Sequence, residues 1–107
     1  MGKKEAERIK RIVREFKKRI EKEFFVEKLI LFGSAVRGKM KKDSDIDLIV
    51  VSKKYGRKDV FKITPKLYNA WYSNYPVDII LFNTKEFEKL KKEVSIVSEA
   101  LKEGIIF

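Results

Sequence analysis

The chain has 107 residues, the size of one domain, which we expect to span residues 1–107, and it contains neither cysteine nor histidine. The two absences exclude disulfide bonds, thiolate metal sites and histidine acid–base catalysis, so metal and proton chemistry must use carboxylates. A formal net charge of +10 makes nucleic acid a candidate partner.

The first half of the chain predicts one helix and two strands. Apolar residues recur every three or four positions from Glu5 to Phe24, which indicates an amphipathic helix. The short apolar run Val26–Phe32 ends at Gly33 and predicts a buried strand. A short helix is expected to begin near Ala35. The segment from Asp45 to Val51 is apolar on both faces after its aspartates, which is typical of a central strand.

A helix with apolar positions from Val60 to Trp71 is expected after a basic loop at residues 52–58, and it should end before Pro76. Pro65 leaves two alternatives: it lies in the first turn of a helix capped by Thr64, or it kinks one longer helix. Four aromatic residues at helical spacing favour core packing plus a protein interface, with base stacking as the alternative: Tyr68, Trp71, Tyr72 and Tyr75.

The last part of the chain predicts a strand, a helix and a short edge strand. The strand covers Val77–Phe82, and Thr84 is expected to cap the helix that follows. Gly104 should end that helix, before an edge strand at residues 105–107. The predicted fold class is therefore α/β (α+β), with a small mixed sheet flanked by helices. The apolar positions expected to be buried by this one helix are Phe87, Leu90, Val94, Val97 and Leu101.

Three aspartates occupy the starts of predicted strands. Asp45 and Asp47 are two residues apart, so their side chains point to the same face of a strand, and Asp78 begins the next apolar run. Such carboxylates repel one another unless a cation lies between them. Oxygen ligands favour hard cations, which predicts a Mg²⁺ site, with two ions expected. The alternative is that these aspartates only mark strand starts near water.

Gly33 and Ser34 form a candidate phosphate-binding turn one strand before the aspartate pair. A residue without Cβ allows phosphate oxygens to approach backbone N–H groups, and Ser34 adds a hydroxyl donor. A glycine–serine pair by itself is also common in ordinary turns. The glycine–serine pair is a candidate for phosphate binding because it lies one strand before the aspartate pair.

Together these residues resemble a known signature. Gly33-Ser34, Arg37-Gly38 and Ser44-Asp45-Ile46-Asp47-Leu48 match the pattern G-S-x-x-R-G-x(5)-S-D-x-D-L of the minimal nucleotidyltransferases, a branch of the DNA polymerase β-like superfamily. Val36 departs from the alanine of many members. The resemblance covers nearly the whole chain and implies that Gly33 and Ser34 hold the triphosphate of ATP. It also implies that Asp45 and Asp47 bind both metals, while Asp78 binds the catalytic metal and helps to deprotonate the attacking hydroxyl.

Two further residues of the signature keep alternative interpretations. Arg37 either neutralises phosphate charge or forms a surface ion pair, and Ser44 either supports the local turn or contacts the nucleotide. We count both among the nucleotide-binding candidates.

The function that the resemblance implies is Mg²⁺-dependent transfer of AMP from ATP to a hydroxyl. The acceptor would be a tyrosine of a partner HEPN-domain toxin, with this chain as the antitoxin in a homo- or hetero-oligomer. Two alternatives are a catalytically weak subunit that acts by contact and a basic nucleic-acid-binding domain. An antibiotic-modifying transferase would need a further domain for its acceptor. No signal peptide or membrane-length apolar run occurs, which favours the cytoplasm and no membrane contact.

Overall fold

A computed structural model describes residues 2–38 and 44–107, so the five variable positions of the signature, residues 39–43, lie outside the described residues. A single 3-10 turn, Arg57–Asp59, precedes the third helix. The expected class, a mixed sheet flanked by helices, is confirmed. The elements in chain order are α1 (Lys3–Ile20), β1 (Val26–Phe32), α2 (Ser34–Arg37), β2 (Ile46–Ser52), α3 (Val60–Asn69), β3 (Val77–Asn83), α4 (Thr84–Lys91), α5 (Ile96–Glu103) and β4 (Ile105–Ile106).

The four strands form one sheet in the order β3-β2-β1-β4. The pair β2–β3 is parallel, whereas β1 is antiparallel to both β2 and β4. The prediction of a central strand after Asp45 is correct, because β2 has a neighbour on each side and is buried almost throughout. The end of β1 and the starts of β2 and β3 consequently meet at one end of the sheet.

Helices cover both faces of the sheet. Helices α1 and α3 pack on one face, where Phe16 of α1 is fully buried and lies 5.3 Å, edge to face, from the ring of Trp71. Helices α4 and α5 pack on the opposite face through Phe87, Val97 and Ala100. Alternation along the strands assigns side chains to these two layers, so Leu48 and Val50 contact the first and Ile49 and Val51 the second.

The prediction of one C-terminal helix is wrong, because the chain forms two. Helix α4 ends at Lys91, α5 begins at Ile96, and Val94 between them is fully exposed. Ser95 accounts for the break: its hydroxyl donates to the Leu90 carbonyl at 2.7 Å and accepts the Ser98 N–H at 3.2 Å. The hydroxyl thus adds a hydrogen bond to a carbonyl at the end of α4 and satisfies one N–H group at the start of α5.

The cap of α4 is also one residue earlier than predicted. Asn83 Oδ1 accepts the Glu86 N–H, and the Glu86 carboxylate accepts the Asn83 N–H, each at 2.8 Å. This reciprocal pair is a capping box. Thr84 is the first residue of the helix, and its hydroxyl instead donates to Glu27.

Of the two alternatives for Pro65, the longer helix is the one observed. Helix α3 runs from Val60 to Asn69 with Pro65 in its interior, so Thr64 is not a cap and Trp71 lies beyond the helix. The first helix is shorter than predicted, since α1 ends at Ile20 and a turn leads to Phe25 at φ 54°. Within residues 2–38 and 44–107, every helix is too short or too polar to cross a bilayer.

Candidate active site

The predicted site residues meet at the end of the sheet where β1 finishes and β2 and β3 begin. Asp47 of β2 is the register partner of Asp78 on β3 and, on its other side, of Phe32 on β1. Partners in a parallel pair point to the same face, so the two carboxylates are side by side. Asp45 lies two residues before Asp47, directly in front of β2. The fold therefore brings the Asp47 and Asp78 carboxylates together from two strands, with Asp45 just before β2.

These carboxylates are on the face of the sheet that α4 and α5 cover farther along. Asp47 alternates in step with Ile49 and Val51, which are fully buried beneath those helices. At the start of the strands, Asp47 is only half-buried, and Asp45 and Asp78 are exposed. The cover that α4 and α5 provide therefore does not extend to this end of the sheet. The result is a carboxylate cluster with a partly desolvated centre and an open side.

The carboxylates of the cluster disfavour one another's negative charge. The pKa of Asp47 is raised above the ordinary value of 3.8, first by burial and then by the negative charges of Asp78 and Asp45. Arg37 acts in the opposite direction and lowers that pKa, but it does not cancel the increase. The site thus carries an excess of negative charge, which a bound cation would offset.

Gly33 is in direct proximity to the same carboxylate. Its backbone has φ 82°, a conformation that L side chains rarely adopt. A Cβ at this position would overlap Asp47 Oδ2 and lie 3.2 Å from Asp47 Cγ. The glycine is therefore required twice, for the turn and for the space that the carboxylate occupies.

The short helix α2 connects this turn to Arg37. The N–H groups of Val36 and Arg37 both donate to the Gly33 carbonyl, at 3.1 and 3.2 Å. Arg37 Nη1 in turn lies 2.7 Å from Glu103 Oε1 at the end of α5, and both side chains are partly exposed. The ion-pair interpretation of Arg37 is observed, although its charge also reaches Asp47. Ser44 lies directly before Asp45 and is half-buried.

Tyr68 is a residue of this site that the sequence did not indicate. Its hydroxyl accepts the backbone N–H of Ile79 at 2.9 Å and lies 3.5 Å from Asp78 Oδ1. Other members of the aromatic group serve the core, since Trp71 packs on Phe16 and donates to the Tyr75 carbonyl. Helical spacing alone cannot reveal that Tyr68 reaches around the edge of β3.

The donor set suits magnesium. The cluster offers only carboxylate oxygens, together with the uncompensated negative charge centred on Asp47. Among the described residues, no three acidic side chains are placed to hold a metal ion as a group. Mg²⁺ is usually bound by one or two carboxylates plus the phosphates of its substrate, so an open arrangement fits this ion.

Burial and the neighbouring aspartates disfavour the charged form of Asp47. Removing this charge should therefore stabilise the metal-free protein, which is studied in EDTA. Like charges directly opposite in a sheet cost about 0.2–1 kcal/mol, so Asp47→Asn should raise the melting temperature by about 1–6 °C. A raised carboxyl pKa means that the folded chain loses stability as pH rises from the ordinary value upward. The gain should therefore be present at pH 7 and disappear below about pH 4.

Thermal melts of the wild type and Asp47→Asn at both pH values would measure this gain. Glu23→Gln is the matched control, because Glu23 is exposed and remote in sequence from the cluster. A lower melting temperature for Asp47→Asn at pH 7 would contradict the electrostatic description of the site.

Comparisons with known proteins agree with this architecture. A family model described as "Polymerase beta, Nucleotidyltransferase" matches residues 14–104. A Sulfolobus solfataricus crystal structure, described as that of a proposed nucleotidyltransferase, superposes with a TM-score of 0.70 at 23% identity. That match covers 100% of this chain and 88% of the other. At this identity the likeness supports the fold alone. Comparison with curated protein sequences gives no match.

Proposed function

The chain belongs to the polymerase beta nucleotidyltransferase family, and we propose that it uses Mg²⁺ to transfer AMP from ATP to a hydroxyl acceptor. One observation carries the proposal: Asp47 is the register partner of Asp78 and also fills the space left by the missing Cβ of Gly33. A charged cluster thus lies beside a turn suited to phosphate. That combination is what phosphoryl transfer requires, because its catalysis depends on positioning and electrostatic stabilisation.

Each residue of the site has a role in this proposal. Gly33 and Ser34 hold the triphosphate through backbone N–H groups and a hydroxyl. Asp45, Asp47 and Asp78 would hold Mg²⁺, which would supply neutralisation of phosphate charge and polarisation of phosphoryl oxygens. Arg37 and Ser44 contribute to nucleotide binding. For Arg37 this means exchanging Glu103, with which it now forms a half-exposed ion pair, for a phosphate oxygen.

The transfer step requires one bond to form and one to break. The acceptor oxygen forms a bond to the α-phosphorus of ATP, and the bond from that phosphorus to the oxygen bridging to the β-phosphate breaks. Pyrophosphate leaves with that oxygen, and the acceptor proton passes to the Asp78 carboxylate. Asp78 suits the role of base because it is exposed to an incoming hydroxyl, and the described residues include no histidine to act instead.

The acceptor that we propose is a tyrosine on a partner protein, a HEPN-type toxin for which this chain is the antitoxin. Support comes from the resemblance of the sequence signature and from the exposure of Asp78, which is accessible to a residue of another chain. The test is incubation with Mg²⁺, α-labelled ATP and the product of the neighbouring gene. Label should appear on the partner, and label transfer that persists in Asp45→Asn/Asp47→Asn would reject this site.

Tyr68 should act as a positioning residue for Asp78. Tyr68→Phe removes the hydroxyl that lies 3.5 Å from Asp78 Oδ1. Loss of one hydrogen bond of about 0.5–1.5 kcal/mol corresponds to a decrease in kcat of about 2- to 13-fold. Because Tyr68 does not touch the nucleotide in this scheme, KM for ATP should stay unchanged. Steady-state kinetics separate the two constants, and a change in KM alone would contradict the positioning role.

A further inference from the structure

The outer side of α3 exposes an unusual amount of apolar surface. Phe61 is 97% exposed and Tyr72, just beyond the helix, is 70% exposed, while Pro65 is also exposed and Tyr68 is 39% exposed. The inner side of α3 buries Ile63 and Leu67 against the sheet, so these outer residues contribute little to the core. We call this set the α3 surface: Phe61, Pro65, Tyr68 and Tyr72.

The α3 surface reaches the candidate active site. Tyr68 belongs to both, because its ring is part of the exposed set and its hydroxyl contacts Ile79 N–H and Asp78. A molecule bound along the α3 surface would thus lie next to the carboxylate assigned as the base. Contiguous exposed apolar residues bordered by polar ones are typical of protein interaction sites.

The charged side chains of helix α3 itself are all positive, while Asp59 precedes it and Asp78 lies at the Tyr68 end of the α3 surface. Lys58, Lys62 and Lys66 recur at four-residue intervals, all exposed, and the sequence from residue 60 to residue 77 contains no acidic residue. Across residues 2–38 and 44–107, no ion pair involves these lysines. A complementary partner must therefore supply the negative charge itself.

Two features favour a protein helix over a nucleic acid strand. Phe61, Pro65 and Tyr68 follow the spacing i, i+4, i+7, by which one helix packs against another, and a proline ring offers no π-face for a base. The Arg19 guanidinium lies 4.2 Å from the centroid of the Tyr72 ring and covers one of its faces. The α3 surface therefore offers few free aromatic ring faces on which successive bases could stack.

We infer that the α3 surface docks the acceptor protein, through an amphipathic helix whose apolar seam is flanked by aspartate or glutamate. The inference rests on the proposed function for the identity of the docked protein as the acceptor. Docking there brings an acceptor hydroxyl near Asp78. The partner's acidic flanks pair with the lysines, and its apolar seam covers Phe61 and Pro65.

Binding of a designed peptide tests the docking surface without any catalysis. The probe is a fluorescein-labelled helical peptide with leucine at i, i+4 and i+7, glutamate flanks and one tyrosine; a second peptide carries lysine in place of glutamate. Fluorescence anisotropy is measured with the wild type, Phe61→Ser and Lys58→Glu/Lys62→Glu/Lys66→Glu. The control Lys4→Glu/Lys18→Glu/Lys22→Glu makes the same change in net charge on the surface of α1 and the turn that follows it.

We expect the acidic peptide to bind the wild type at least about tenfold more tightly than the lysine peptide. Phe61→Ser and the α3 charge reversal should remove this preference, whereas the α1 control should retain most of it. Equal losses in both charge reversals would overturn the inference, since they would reveal only a net-charge effect. Tighter binding of a single-stranded RNA of equal charge, lost in the α3 reversal, would overturn it in favour of nucleic acid.

Label transfer from α-labelled ATP to the same tyrosine peptide distinguishes the two proposals. Binding at the α3 surface without transfer to any tyrosine would remove the proposed function and leave the docking surface intact. Transfer that is equally fast to acidic and basic peptides would retain the function and remove the docking surface. Circular dichroism melts confirm that each variant is folded before these comparisons.

Discussion

Replacing Asp78 with asparagine is expected to lower kcat for nucleotidyl transfer by about 10²- to 10⁴-fold, the usual contribution of a positioned general base. Asparagine keeps the size of the side chain but cannot accept the proton of the attacking hydroxyl. Asp78 lies at the exposed edge of the cluster, beside the more buried Asp47. The chemical step should therefore suffer far more than the binding of ATP, and a single-turnover assay at saturating ATP measures it.

Two controls make the Asp78→Asn result specific. Glu93→Gln removes a carboxylate from an exposed position after α4 and should leave kcat unchanged. A melting curve of Asp78→Asn should be at or slightly above that of the wild type, because one of the like charges around Asp47 is gone. A kcat within about threefold of the wild type would contradict the assignment of Asp78 as the base.

Gly33→Ala is expected to lower nucleotide-dependent activity strongly by displacing the Asp47 side chain, although the substitution changes no charge. A Cβ at φ 82° would overlap the Asp47 carboxylate, which can escape only by rotating away from its position beside Asp78. At φ 82° and ψ −150° the backbone of Gly33 also lies in a region that is essentially restricted to glycine, which adds a cost of about 1–3 kcal/mol. We expect kcat/KM for ATP to fall by at least about 100-fold, the scale on which displaced catalytic groups act.

Gly38→Ala is a control for placing an L residue at a positive φ without a steric overlap. Gly38 has φ 72° and ψ 18°, the left-handed helical region, and a Cβ there would have no atom of the described residues within 4 Å. Gly38→Ala should lose about 1–2 kcal/mol of stability and keep its activity, whereas Gly33→Ala should lose more stability and most of its activity. Equal activity losses in the two variants would mean that backbone strain, and not the position of the Asp47 carboxylate, governs the site.

The strands were the most predictable part of this fold. The run Val26–Phe32 matches β1 residue for residue, and the starts of β2 and β3 were within one residue. Short apolar runs between glycine, proline and aspartate leave few alternatives for a chain of this size. Because the aspartates begin those runs, their meeting at one end of the sheet could be expected once β2 and β3 were taken as neighbours.

The predicted helix ends were wrong where local side-chain hydrogen bonds decide them, because the spacing of apolar residues does not predict such bonds. Val94 continues the helical spacing of the residues before it, yet it is fully exposed because Ser95 ends one helix and begins another. Asn83 and Thr84 are adjacent residues that both favour a cap, and only the reciprocal bonds with Glu86 decide between them.

The long-range contacts in the site also could not be predicted from the spacing of residues in the sequence. Arg37 and Glu103 are 66 residues apart in the sequence, so their ion pair depends on how α5 returns to β1. Tyr68 reaches Asp78 only because α3 packs beside the edge strand β3. The overlap that a Cβ on Gly33 would make with Asp47 likewise requires the register between β1 and β2.

We propose that the carboxylates at the start of β2 and β3 hold a divalent cation against a triphosphate. Isothermal titration of ATP into the wild type and into Asp45→Asn/Asp47→Asn, each in Mg²⁺ and in EDTA, tests it most directly. We expect binding to the wild type in Mg²⁺ and a loss of at least about tenfold both in EDTA and in the variant. Equal ATP affinity in all four titrations would contradict the claim.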